Sequence, residues 1–133
     1  MRLWHIDLIP YLPRQQLIAQ WRELNSIFAK QDNHILINYV YNYPKAWLLN
    51  YTNKVMREMM ERGYRINSTL NYTLYFKGIT ATSTERFDEH NFEYLTICYY
   101  NLREKHIRGQ KDFTYDNWWK IEEFYKEQEY RRR

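Results

Sequence analysis

A chain of 133 residues is long enough to bury a core in one domain, taken here as residues 1–133, without metal or disulfide staples. Its single cysteine, Cys98, excludes an internal disulfide and any zinc site built on cysteine pairs, and no signal-like apolar segment is present, so a soluble monomer of a reducing cytosol, without membrane attachment, is expected. Lysine and arginine number 20 against 16 acidic residues, a net charge of +4 and a pI near 9.1, which permits nucleic-acid binding without requiring it.

Aromatic residues make up 19% of the chain, 14 of them tyrosines. Two uses fit that number equally: rings exposed beside positive charge for base stacking, or a tyrosine-rich core with hydroxyls at its rim.

In chain order, residues 1–12 read as an N-terminal arm, extended over 1–9 and ending at Pro10. Pro13 suits the first turn of a helix running to about Ala29, with Leu17, Trp21, Leu24 and Phe28 forming a core stripe and Arg22 and Glu23 at its border. From Asp32 the pattern changes, with Tyr39, Tyr41 and Tyr43 alternating before Pro44. A second helix is predicted from Ala46 or Tyr51 to Arg62, with Val55–Met59 and Met56–Met60 as its apolar face and Gly63 as its stop. Residues 64–87 lack periodicity and read as a long loop with extended structure near Tyr72–Phe76, a length that usually marks function or mobility. A third helix is expected from Glu89 to about His106, capped by Asp88, with Phe92, Leu95, Ile97 and Tyr99 apolar. Gly109 ends that connection. Asp116 caps a last helix carrying Trp118, Ile121, Phe124 and Tyr125, and the basic tail 127–133 reads as frayed. The predicted fold class is all-α, a bundle of three to four helices with long irregular connections.

The chemistry starts at the N-terminus. Bulky Arg2 should block removal of Met1, leaving a free α-amine. With a reference pKa of ~8 against ~10.4 for lysine, about ten per cent of such an amine is neutral and nucleophilic at pH 7. A partly neutral amine beside one carboxylate and one guanidinium suits Schiff-base chemistry.

The stretch Leu12–Leu24, with its Arg22-Glu23-Leu24 end, resembles the first helix of the pyrimidine-dimer DNA glycosylases, the phage endonuclease V family. Val55–Ile66, with Arg62-Gly63-Tyr64-Arg65-Ile66, is similar to the family's later helix and its Arg-Gly-Phe-Asn-Ile end. Asn101–Lys105 and Trp118-Trp119-Lys120 are similar to two further family segments. The opening Met-Arg-Leu-Trp-His looks like a bacterial branch, which implies a cytoplasmic, nucleoid-associated enzyme of bacterial or phage type.

The resemblance implies metal-independent, cofactor-free base excision on double-stranded damaged DNA: the terminal amine attacks the sugar, the base leaves, and β-elimination at the resulting abasic site nicks the strand. On this reading Met1 is the nucleophile and Glu23 the catalytic carboxylate. Arg2 and Arg22 bind phosphates flanking the lesion and keep the amine neutral by like-charge repulsion. Gln16 stands where the family has a histidine and, with Gln15, reaches a phosphate. His5 relays protons or touches the sugar. Ser26 stands where the family carries a second arginine, so one phosphate clamp is missing. Tyr39, Tyr41, Tyr43, the 64–87 loop, Trp119 and Lys120 are candidate DNA contacts, and Arg57, Arg62, Arg65, Lys77 and Arg86 candidate phosphate trackers. Other readings are a nonenzymatic nucleic-acid-binding module, a glycosylase or lyase for another damaged base or an abasic site, and a metal nuclease built on His5, Asp7 and His90. No metal-nuclease motif supports the last.

Overall fold

The computed structural model describes residues 2–81 and 84–132; Met1, the expected nucleophile, lies outside them. Among the described residues the secondary structure is entirely helical: α1 (Arg14–Ala29), α2 (Lys45–Glu61), α3 (Leu70–Tyr75), α4 (Phe92–Ile107) and α5 (Tyr115–Arg131), with 3-10 helices at Ile6–Tyr11 and Asn38–Asn42. No helix among them is long and apolar enough to cross a membrane.

The stripe on α1 is as patterned: Leu17, Trp21, Leu24 and Phe28 are buried, together with Ile27. Against it lies α2, through Leu48, Tyr51, Val55 and Met59; the arm buries Leu3, Trp4, Ile6 and Leu8, and its 3-10 helix packs on α2 and α5. Helix α5 inserts Trp118, Ile121 and Tyr125 beside Tyr99 of α4, where the Tyr99 and Tyr125 rings stack 4.0 Å apart. The α1 N-terminus has no local side-chain cap; Asp112 supplies one from the α4–α5 connection, accepting from the Gln15 N–H at 3.1 Å. Gly63 and Gly109 close α2 and α4 by the same device. Each has a left-handed backbone (φ +77° and +80°), and the following residue's N–H bonds back to the carbonyl of Met59 or Lys105.

Several expectations are corrected. Residues 6–11 coil into a 3-10 helix despite Pro10, with His5 as its side-chain cap. Of the face predicted for α2, Val55 and Met59 enter the core and Met56 packs half-buried against it, but Met60 faces solvent. The 64–87 segment forms helix α3 where extended structure was expected, because Tyr72, Tyr75 and Phe76 pack edge-on and tilted around Phe28. Asn91, not Asp88, caps α4, and Thr114, not Asp116, caps α5; Asp116 occupies the first turn, where its charge favours the helix dipole. Ile97 is exposed. The tail is helical through Arg131.

The tyrosines divide as the rim reading requires. Only Tyr100, Tyr115 and Tyr130 are exposed; the others are buried or half-buried. Tyr39, Tyr41 and Tyr43 spend their hydroxyls inside the protein, on His90 Nε2 (2.6 Å), the Asp32 N–H (2.7 Å) and the Glu89 carboxylate (2.7 Å). They brace the fold and form no open stacking platform. The 3-10 turn Asn38–Asn42 carries Tyr39 and Tyr41, Tyr43 follows as its extended C-cap, and all three are half-buried.

Candidate active site

The arm enters the fold as extended backbone with no strand to pair with, so its polar groups need side-chain partners. Gln20, buried on α1, supplies two. Its Oε1 accepts from the Trp4 N–H at 2.7 Å and its Nε2 donates to the Arg2 carbonyl at 3.2 Å. The Tyr51 hydroxyl donates to the Trp4 carbonyl at 2.6 Å, and Tyr94 donates to the Leu3 carbonyl. Burial pushes the Tyr51 and Tyr94 hydroxyls well above the ordinary tyrosine range, so both remain donors at any physiological pH. His90 Nδ1 accepts from the Ile6 N–H at 3.1 Å. Residues 2–6 are therefore held by four side chains from α1, α2, α4 and the segment before α4.

Glu23 lies one helical turn beyond Gln20, on the α1 flank that carries the arm. One of its carboxylate oxygens, Oε2, is shielded from solvent and has no hydrogen-bond partner among the described residues. A shielded, unpartnered carboxylate oxygen costs about 1–3 kcal/mol or more, and such groups persist where the fold is not the only thing they serve. Arg22, the next residue back, is exposed and forms no ion pair among the described residues. Asp7, the acid of the arm, pairs instead with Arg86 at 3.0 Å. Arg2 has no carboxylate partner among the described residues and lies near Trp4, 5.9 Å from its ring centroid, and beside Tyr94 and Cys98.

On the other flank of α1 an open groove of about 610 Å³ is lined by Arg14, Trp21, Arg22, Tyr64, Arg65 and Asn67, among others. Arg14 sits over the Tyr64 ring at 4.8 Å, and Trp21 Nε1 donates to the Asn67 carbonyl at 3.2 Å, fixing the far wall. Arg22 lines this groove and immediately precedes Glu23 in α1. Replacing Arg14, Arg22 and Arg65 together by alanine should reduce the slope of log affinity for duplex DNA against log salt by about 2–3, roughly 0.9 per phosphate lost. A titration over several salt concentrations measures this, and an unchanged slope excludes the groove as the phosphate track.

Other expected site residues are placed differently. His5 is 3% exposed, and its Nδ1 accepts from the Asp7 N–H at 3.1 Å, so its contribution is to shape the arm. Both ring nitrogens of His90 are engaged, on the Ile6 N–H and the Tyr39 hydroxyl, which leaves it no lone pair for the metal-nuclease reading. Gln16 is buried and donates to Gln110 at 3.4 Å, while the Gln15 side chain is exposed. Arg62 is not a phosphate tracker: it bonds Glu58 at 2.7 Å and the Leu12 and Pro10 carbonyls at 2.7 and 3.0 Å, clamping the arm's turn to α2. Arg86 is taken by Asp7. Arg57, Arg65 and Lys77 are exposed. Trp119 and Lys120 are exposed on α5, and Trp119 lines a shallow groove with Glu122, Glu123, Glu127 and Lys126, the last paired with Glu122 at 3.4 Å, so acids outnumber cations on that surface.

Residues 1–72 match the family model of pyrimidine dimer DNA glycosylases, a span that takes in the arm, Gln20, Arg22, Glu23 and the far wall of the groove. The chain belongs to that family. It is a DNA repair glycosylase, and its substrate is DNA. No curated protein and no solved structure gives a significant match.

Within this glycosylase, Gln20 is the residue that sequence reasoning passed over. The signal was present: an amide on the apolar face between Leu17 and Leu24, where a hydrophobic residue fits the pattern. Gln20→Leu leaves the Trp4 N–H without a partner and loosens Arg2, and should cost about 2–4 kcal/mol in urea denaturation. A midpoint equal to wild type would show that the arm is held without it.

Proposed function

We propose that this glycosylase removes pyrimidine dimers through a Schiff base on its own N-terminal α-amine and then nicks the strand as an abasic-site lyase. The observation that carries this is the shielded, unpartnered Glu23 carboxylate oxygen on the flank of α1 that holds the arm. Met1 is one peptide bond from Arg2, whose carbonyl is bonded to Gln20, three residues before Glu23 in the same helix. Arg2 and Arg22, without carboxylate partners among the described residues, supply positive charge that disfavours protonation of the amine and attracts phosphate.

The neutral amine attacks C1′ of the damaged nucleotide's sugar, the C1′–N bond breaks, and the base leaves with the proton that the amine nitrogen gives up. Glu23, having taken a proton from water, donates it to the ring oxygen, so that the ring opens to an iminium and Glu23 returns to its carboxylate. Loss of a C2′ proton to the Glu23 carboxylate then drives cleavage of the C3′–O bond, and water hydrolyses the iminium to free the enzyme. The steps require neither metal nor cofactor.

Borohydride reduction of a reaction on a duplex with one cis-syn thymine dimer, in EDTA, beside abasic and undamaged duplexes, tests this directly. The expected result is a covalent adduct on the dimer duplex that maps to Met1 by peptide mass. An adduct on the abasic duplex alone transfers the natural substrate to another lesion. No adduct on any duplex ends the amine mechanism.

A further inference from the structure

Helix α3 has two faces of opposite character. Its inner face is locked: Phe28 lies 5.3 Å from the Tyr75 ring and 5.1 Å from Phe76, and the Tyr72 hydroxyl donates to Asn53 at 2.9 Å. Its outer face displays Leu70 and Leu74, one turn apart, 68% and 61% exposed. Paired exposed leucines on a fixed helix are poorly explained by packing, and they do not stand alone. From Arg62 to Thr84 the chain has no acidic residue, while Arg65 and Lys77 flank the helix and are exposed. The basic groove on α1 runs through Asn67 and Ser68 directly into α3. Ser68 itself takes a left-handed backbone (φ +61°), unusual for a residue with a β-carbon, where the chain turns from groove to helix.

We infer that Leu70 and Leu74 form an apolar wedge that enters a base step of duplex DNA at the lesion, while Arg65, Lys77 and the groove arginines hold the flanking phosphates. The chemistry supports duplex DNA over another occupant. An apolar pair alone fits any hydrophobic partner; an apolar pair bordered by cations, with no acid in its segment, fits a polyanion that hides apolar surface between its bases. Dimer-distorted steps are already weakly stacked, so a wedge costs least there. The inference rests on the DNA-repair reading of the preceding section and gives the 64–81 connection its role.

The test uses full-length protein and a duplex with 2-aminopurine opposite a cis-syn thymine dimer. Because both leucines are exposed, L70Q/L74Q should fold as wild type, which circular dichroism and thermal melting check. The expected result is a lost fluorescence rise on binding and a fall of at least about tenfold in kcat/KM on the duplex. Activity on the same dimer in single-stranded DNA should stay within about twofold, since there is no stack to open. L70M/L74M, which keeps apolar bulk, should restore the duplex response. Wild-type fluorescence and rate in L70Q/L74Q overturn the wedge and leave the repair function standing. A changed sedimentation coefficient with an unchanged DNA response assigns the face to a second copy of the chain and also overturns it. Wild-type protein inactive on every dimer substrate, with no fluorescence rise, overturns both readings.

Discussion

Glu23→Gln is expected to abolish base release and strand nicking by about 10²–10⁴-fold while leaving affinity for a dimer duplex nearly unchanged. The variant is isosteric, so it removes charge and basicity and nothing else. Its diagnostic strength lies in stability. A surface or structural glutamate lost to glutamine leaves folding unchanged or weakened. Glu23 has a shielded carboxylate oxygen with no partner among the described residues, and replacing that charge with a neutral amide should hold stability constant or raise it by about 1 kcal/mol. Loss of activity together with equal or greater stability is the signature of a group kept for chemistry. Single-turnover base release and urea denaturation on the same preparations give both quantities. Unchanged turnover in Glu23→Gln would sink the assignment. Glu23→Asp, which keeps the charge but shortens the reach, should fall between the two.

The parts of this site that were legible in the sequence are those set by local pattern. The α1 stripe, the end of α2 at Gly63 and the stop at Gly109 follow from helical spacing and from the left-handed backbone that glycine permits at a helix end. Arg22-Glu23 stood out only through the family resemblance, since periodicity put both at the border of a helix face and went no further. Tertiary contacts hid the rest. Helix α3 is six residues long, too short to nucleate alone, and exists because three aromatic rings pack around Phe28 from a different helix. The alternating Tyr39, Tyr41 and Tyr43 read as candidate DNA contacts, yet their hydroxyl partners, Asp32, Glu89 and His90, lie elsewhere in the sequence. Arg62 looked like any surface cation because its carbonyl partners, Pro10 and Leu12, are fifty residues away in sequence. The arm is the clearest case. A short apolar run before Pro10 predicts burial, but not that its backbone would be held by Gln20, Tyr51, Tyr94 and His90 in place of a neighbouring strand.

That mode of anchoring makes the site sensitive to acid. His5 and His90 stack with centroids 5.5 Å apart, both almost fully buried, between the arm and the start of α4. Burial pushes the His5 imidazole down to about 4, with Asp7 opposing and Arg86 assisting; burial, the neighbouring His5 and Arg86 push His90 down to about 3. Both folded-state values lie below the unfolded reference of ~6.5, so the neutral rings contribute stability above that pH, and the contribution is lost as pH falls through 6.5 toward the folded values. In that window the unfolded chain binds up to two more protons than the folded one, a slope approaching about 2.7 kcal/mol per pH unit. Between pH 6.5 and 5 the loss should reach a few kcal/mol, a large share of the total for a domain of this size. Urea denaturation at pH 7.5, 6.5, 5.5 and 5.0 should show a plateau followed by this fall, ahead of the range where carboxylates titrate. His5→Asn keeps an acceptor for the Asp7 N–H but cannot protonate, so it should reduce the slope by about half. Equal stability at pH 7.5 and 5.0 would mean that the pair is not held neutral. His90 Nδ1 can accept from the Ile6 N–H only while unprotonated, so the same proton that destabilises the fold removes one of the arm's anchors. With folded values near 3 and 4, the rings take up protons above pH 5 only where the arm has opened, so base release should fall together with stability in acid, and by less in His5→Asn.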